Sequence, residues 1–257
     1  MEKHLCNSII IGPIQSRRNG RSLVINLMSS CSRRCVFNCS ECVFSKDSRE
    51  EVQALPEPYA VVENLMQKLQ QEIDLGNKIE NISFAGAGEP TLHPKFSEIM
   101  EDVVLIRNLI SPDTSISIIT NAAGISQANV MKALMKVNHL VLKYDAKAHE
   151  IADDELISKI TLIKKHLKGE FSVQSIFYEG EYRGHNISNS SNDLMEEWAA
   201  QIASLRPIEV ILYMANHDFK LVPYNSREKQ ILTTAAAQLK ALKIKTTLAQ
   251  NQSDPII

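Results

Sequence analysis

The chain has no cysteine beyond residue 42, no apolar run of membrane-spanning length and no large excess of either charge. Its five cysteines, Cys6, Cys31, Cys35, Cys39 and Cys42, are crowded at the front of 257 residues. A disulfide framework would spread them along the chain to close loops, whereas crowding in one stretch reads as metal ligation. The longest early apolar run, Ile9 to Ile11, is broken at once by Gly12 and Pro13. It is far short of the roughly 20 residues a spanning helix needs and unlike a signal-peptide core. A cytoplasmic protein with reduced thiols and no membrane contact is therefore expected. The N-x-S triplets at Asn186 and Asn189 are then chance occurrences. A net charge of −2 excludes a strongly basic nucleic-acid coat, although a local patch remains compatible with it. Repeats, low-complexity tracts and long linkers are also absent, and 44% apolar residues argue against disorder.

What is present is an alternation of short β-type runs with helical patterns. Ser22–Met28, Ile79–Phe84, Ser115–Thr120, His139–Tyr144, Phe171–Tyr178 and Ile208–Met214 read as strands. Between them lie helical patterns. The first carries Val62, Leu65, Met66, Leu69 and Ile73 with Gly76 at its C-cap, and the second carries Phe96, Ile99, Val103 and Ile106. A third is N-capped by Ser126, a fourth runs from Leu156 to Leu167 before Gly169, and a fifth covers Leu194–Leu205. A last helix, Arg227–Leu242, leads to a short β-type run, Lys245–Leu248. Met66, Met100 and Met131 are expected in the core. Such alternation implies parallel strands with right-handed crossovers. The fold class is α/β, and six units suit a partial (β/α)6 TIM-like barrel, with a doubly wound open sheet as the competing topology. One domain is expected over 1–257, with a leading segment at 1–21, the barrel at 22–215 and a C-terminal helix and short strand at 216–257.

In barrel folds the functional loops follow the C-terminal ends of strands, and the polar signals fall there. The cysteine loop follows the first strand, and Gly86-Ala87-Gly88-Glu89-Pro90 follows the second. Thr120-Asn121 ends the third, and Lys143 and Asp145 flank the end of the fourth. Three thiolates at the spacing Cys35-x3-Cys39-x2-Cys42 can hold three irons of a cubane cluster and leave the fourth iron open. An open coordination position is where a metal centre does chemistry.

This cysteine pattern after a first strand resembles the signature of the radical S-adenosylmethionine superfamily. Gly12-Pro13 with Ser16-Arg17-Arg18, then Ser22-Leu23-Val24-Ile25-Asn26, the stretch Ala85 to Pro94, and Leu142-Lys143-Tyr144-Asp145-Ala146 are similar to its wyosine-synthetase-like branch. So are Ile208–Tyr213, the Pro223 segment and the final helix. The resemblance implies a radical SAM core with a 4Fe-4S cluster on Cys35, Cys39 and Cys42. It also implies reductive cleavage of S-adenosyl-L-methionine to a deoxyadenosyl radical that abstracts hydrogen from a substrate. Gly88, Glu89 and Pro90 are then expected at the methionine amino group, and Thr120, Asn121, Lys143 and Asp145 at ribose or carboxylate contacts. An electron donor such as flavodoxin or ferredoxin is implied as a partner. Glu41 stands where the family usually has an aromatic residue, and Phe37 and Phe44 lie nearby in sequence.

Plainer readings stand beside these. Cys31 as a fourth thiolate would close the site into a non-catalytic metal-binding scaffold. His93 beside Pro94 reads as a turn residue ahead of a catalyst, and Lys143 and Asp145 also fit as plain strand-end polar groups. Arg17, Arg18, Arg21, Arg33, Arg34, Lys46 and Arg49 gather at one end of the chain. They could meet RNA phosphates or balance the charge of a thiolate-bound cluster and its donor. The substrate is accordingly an RNA base, or else a peptide, a protein partner or a small metabolite.

Overall fold

The computed structural model describes residues 8–16, 19–28, 54–86, 88–146, 153–182, 185–186, 188–215 and 224–249. A leading hairpin is formed by β1 (Ile10–Ser16) and β2 (Gly20–Ile25), paired antiparallel. Then follow α1 (Pro58–Asp74), β3 (Asn81–Phe84), a 3-10 turn (Pro90–Leu92), α2 (Phe96–Ile110) and β4 (Ser115–Thr120). Next come α3 (Ala128–Leu134), β5 (His139–Lys143), α4 (Asp153–His166) and β6 (Glu170–Tyr178). A small hairpin, β7 (Glu181–Tyr182) with β8 (His185–Asn186), precedes α5 (Asn192–Leu205), β9 (Glu209–Ala215), α6 (Ser226–Ala241) and β10 (Thr246–Leu248).

One eight-stranded sheet carries the order β1-β2-β3-β4-β5-β6-β9-β10, with every neighbour parallel from β2 onward. The order never reverses. A doubly wound sheet needs a switch point where strand order turns back, so that alternative is excluded and the α/β partial-barrel expectation holds. The sheet is not closed, because β1 and β10 are its two edges. Consecutive helices pack on one another from α1 through α6, which places them on one side of the sheet.

Side-chain alternation divides the strands between two environments. Leu23 and Ile25, Ile82 and Phe84, Ile116 and Ile118, and Leu140 and Leu142 join the buried helix faces in one large core. The opposite parity is polar or small: Ser22, Asn81, Ser83, Ser117, Ser172 and Gln174, each no more than 5% exposed. A separate small cluster of Ile11, Val24 and Ala85 sits on this face. With the helices on the other side, such burial requires the sheet to curl around its inner face. Bulky branched residues usually fill a barrel interior, and here serines and amides take much of that space.

Several expectations are corrected. The run at Ile9–Ile11 opens a strand, since Gly12-Pro13 is absorbed by a register shift between Ile11 and Ile14 in edge strand β1. Ser126 is not the N-cap of α3, which starts two residues later after Gln127. Its hydroxyl instead donates to Glu155 Oε1 at 3.2 Å and accepts from Lys159 Nζ at 2.8 Å. Met100 is fully buried and Met131 packs against the core, but Met66 is exposed. The predicted end of α1 is met, with Gly76 at a φ of +72° just past the helix. Among the described residues no helix is long and apolar enough to cross a membrane.

Candidate functional site

The strand ends β2 to β5 bring the predicted site residues to one rim of the sheet. Gly86 and Gly88 have φ values of +110° and +72°. A Cβ on Gly86 would stand 2.7 Å from Asn26 Oδ1, and one on Gly88 would stand 2.8 Å from Met28 Cβ. The turn after β3 therefore lies directly on the segment leaving β2, an approach that only glycine allows. Met28 is the last described residue before 54. Cys35, Cys39 and Cys42, together with Cys31, Glu41, Phe37 and Phe44, lie outside the described residues.

Glu89, 2% exposed, is the hub of this corner. Its Oε1 accepts from Thr91 N at 3.0 Å, Thr91 Oγ1 at 2.6 Å and Thr120 Oγ1 at 2.5 Å. Its Oε2 accepts from Asn121 N at 2.8 Å. Thr91 Oγ1 in turn accepts from Gly124 N at 3.1 Å, and Thr120 Oγ1 from Ala122 N at 2.9 Å. Asn121 Oδ1 accepts from Ala123 N at 2.9 Å, an Asx turn that helps hold Ala122 at a φ of +64°. Pro90 opens the 3-10 turn, where a missing N–H costs nothing.

Gly88, Glu89, Pro90, Thr120 and Asn121 are thus assembled around one carboxylate. The side chains of Glu89 and Thr120 are spent largely on tying β3 to β4. What this corner can offer a ligand is backbone around Gly86 and Gly88, the remaining lone pair on Glu89 Oε2, and the Asn121 amide nitrogen.

Lys143 and Asp145 stand at the end of β5, separate from the Glu89 network. Lys143 is paired in register with Gln174 on β6. Asp145 Oδ1 accepts from Ile176 N at 2.6 Å, extending the strand pairing past the end of β5. Burial pushes the Asp145 carboxyl up to about 6, against the opposing pull of the Ile176 N–H and the Lys143 charge. Behind this edge, Trp198 Nε1 donates to Ser175 Oγ at 3.1 Å and to the Tyr144 carbonyl at 3.3 Å. Tyr144 Oη donates to Gln201 Oε1 at 2.7 Å, so α5 fixes the backbone that carries Lys143 and Asp145.

Two contributors were not named as site residues from the sequence. Asn26 meets Gly86, and its side chain reaches the Ser8 carbonyl at 3.4 Å. Gln174 lies in the inner wall beside Lys143. Phe171–Tyr178 also holds Ser172 and Ser175, so no pattern in the sequence singled Gln174 out. His93 has the structural role that its neighbour Pro94 suggested. Its Nδ1 accepts from Lys95 N at 3.1 Å, so its Nε2 carries the proton that reaches the Pro56 carbonyl at 3.1 Å.

Of the basic cluster, Arg21 alone is described. It lies at the start of β2, the strand end opposite the rim, where its guanidinium pairs with Glu72 at 2.6 Å. Asn189, the first residue of one N-x-S triplet, is 3% exposed, and its amide bridges Tyr178 N and the Ile176 carbonyl.

No known family model matches the chain. Among curated proteins it is 26% identical over 212 residues to a UPF0026 protein of Helicobacter pylori, covering 77% of this chain and 64% of that protein. It is likewise 26% identical over 206 residues to a UPF0026 protein of Methanocaldococcus jannaschii, covering 74% of this chain and 60% of that one. A match to the GTPase Obg of Brachyspira hyodysenteriae is 24% identical over 176 residues and covers 64% of this chain. The chain spans only 25% of that GTPase and about three fifths of the UPF0026 relatives. Among solved structures, HemN, the Escherichia coli coproporphyrinogen III oxidase described as a radical SAM enzyme, aligns at a TM-score of 0.48 and 12% identity, over 70% of this chain and 46% of that one. Archaeal TYW1 aligns at 0.40 and 13%, over 73% and 62%, and BtrN in complex with AdoMet and 2-DOIA at 0.38 and 15%, over 86% of each. At such TM-scores these likenesses add nothing to the strand order and register as a description of the fold.

Proposed function

We propose that the chain is a radical S-adenosylmethionine enzyme whose 4Fe-4S cluster is held by Cys35, Cys39 and Cys42. The observation that carries this reading is the packing of the Gly86–Gly88 turn on Asn26 and Met28, at the mouth of the segment that contains the three thiols. The corner fits an amino-acid group. Two glycines give close backbone approach, and a buried carboxylate with one lone pair left stands beside them. When bound, the cluster would supply the electron that cleaves the sulfonium bond of S-adenosylmethionine and so generates the hydrogen-abstracting radical. The chain's own part is to orient and to exclude water. Backbone groups around Gly88 and Pro90, and Glu89 Oε2, would receive the methionine amino group. Asn121, Lys143 and Asp145 line the rim where ribose and carboxylate contacts would fall, and Thr120 acts by holding Glu89.

A flavodoxin or ferredoxin would deliver the electron, and the segment rich in Arg and Lys around the thiols would attract such an acidic donor. The substrate is an RNA base, by the branch resemblance, or else a peptide, protein partner or small metabolite. The test is anaerobic reconstitution with iron and sulfide, reduction, addition of S-adenosylmethionine and chromatography for deoxyadenosine. Release by the wild-type protein and its loss in Cys35→Ala are expected. An intact cluster that releases none, with release restored by Cys31→Ala, would instead establish the closed four-thiolate scaffold.

A further inference from the structure

Gln174 is a buried amide at the rim level of the inner wall, 3% exposed, and its Nε2 has no hydrogen-bond partner among the described residues. Strand parity sets it on the inner face. Val173 and Phe177 join the helix-facing core, and Ser175 meets Trp198 of α5, while Gln174 and Ile176 lie on the other side. Its register neighbour on β5 is Lys143, and Asp145 follows two residues on. An unmade bond at a buried amide is a standing cost that folds seldom keep without a use.

We propose that Gln174 is a ligand-binding residue whose Nε2 donates, beside Lys143, to the neutral carbonyl oxygen of an amide or urea-type group in the substrate. Charge decides between carbonyl and anion. Lys143 and Asp145 are oppositely charged and two residues apart at the end of β5, so the pair leaves little net positive charge, and an added anion would meet Asp145 as well. A carbonyl oxygen meets two donors without that penalty. The same chemistry separates this position from the cofactor, because S-adenosylmethionine has an anionic carboxylate and an adenine without a carbonyl. The inference rests on the proposed function only in placing substrate at this rim, and deoxyadenosine release by the wild-type protein tests that reading by itself.

The experiment is equilibrium dialysis of the reconstituted, unreduced full chain, its cofactor site saturated with S-adenosylmethionine, against uridine and N-acetylglycinamide, with acetate and adenosine as controls. Saturable binding of at least one carbonyl probe, and of neither control, is expected. Uridine alone would mark a nucleobase substrate, and N-acetylglycinamide alone an amide of peptide type. Gln174→Leu and Gln174→Glu, which remove the donor at nearly constant shape, should each weaken that binding about tenfold or more. Gln174→Leu should leave the melting temperature unchanged or higher, as expected when an unsatisfied group is removed from a functional site. Three results overturn the proposal: no carbonyl probe binds, the probes bind both variants as they bind wild type, or Gln174→Leu lowers the melting temperature by several degrees.

Discussion

Glu89 and Asp145 are two carboxyls at one rim with opposite surroundings. Four donors from three residues converge on Glu89, so its charge is met by the protein itself. Glu89→Ala leaves buried N–H and O–H groups unpaired and should cost about 2–4 kcal/mol in urea unfolding. Glu89→Gln should rescue little of it, because its NH2 would face donors. Gly88→Ala, with a φ of +72° and a Cβ 2.8 Å from Met28 Cβ, should cost about 1–3 kcal/mol in the same measurement. Asp145 has one backbone donor and is held up near 6 by burial. Its folded-state value exceeds the ordinary 3.8, so the native state binds the extra proton between those values. Its contribution to stability is therefore present at about pH 4 and is lost as pH rises through 6. Thermal melts from pH 4 to 7 should show that loss in the wild type and not in Asp145→Asn. These residues were nameable from sequence because they follow strands in polar, glycine-rich words. Their division of labour was not, since which oxygen meets which donor depends on neighbours 31 and 32 residues away.

At the scale of elements, apolar periodicity placed each main strand and helix to within a few residues. It failed where chemistry competes with pattern. Gly12-Pro13 concealed β1 because a proline reads as a break, although an edge strand tolerates one at an irregularity. Met66 follows the helical spacing of α1 but stands 44% exposed, because the spacing marks a stripe wider than the face that α2 and the sheet cover. Long-range polar ties were equally illegible. Arg21 of β2 pairs with Glu72 of α1, whose carboxyl is held below its usual range first by that hydrogen bond. Arg21→Ala should lower the melting temperature at neutral pH, and the difference from wild type should shrink as pH falls below the carboxylate range. At the β5–β6 edge, Trp198→Phe removes the indole donor to Ser175 and Tyr144 while keeping a ring near Phe177, and should cost about 1–2 kcal/mol by denaturant titration.

For the whole molecule, an open, sequentially wound sheet grades stability from centre to edge. The central strands β3, β4 and β5 are paired on both sides, whereas β10 is three residues long and paired on one. Amide exchange should therefore be slowest in β3–β5 and fastest in β10. The alternation of strand and helix, the crowding of thiols after one strand and the polar words at strand ends are local properties. Periodicity and residue chemistry express them directly, so the sequence by itself determined the α/β class and the rim on which to look. Only the tertiary structure decided that strand order never reverses, that Glu89 and Thr120 bind each other across two strands, and that Gln174 Nε2, without a partner among the described residues, stands beside Lys143. Each of these is a relation between residues far apart in the chain, and long-range contact leaves no period in the sequence to read.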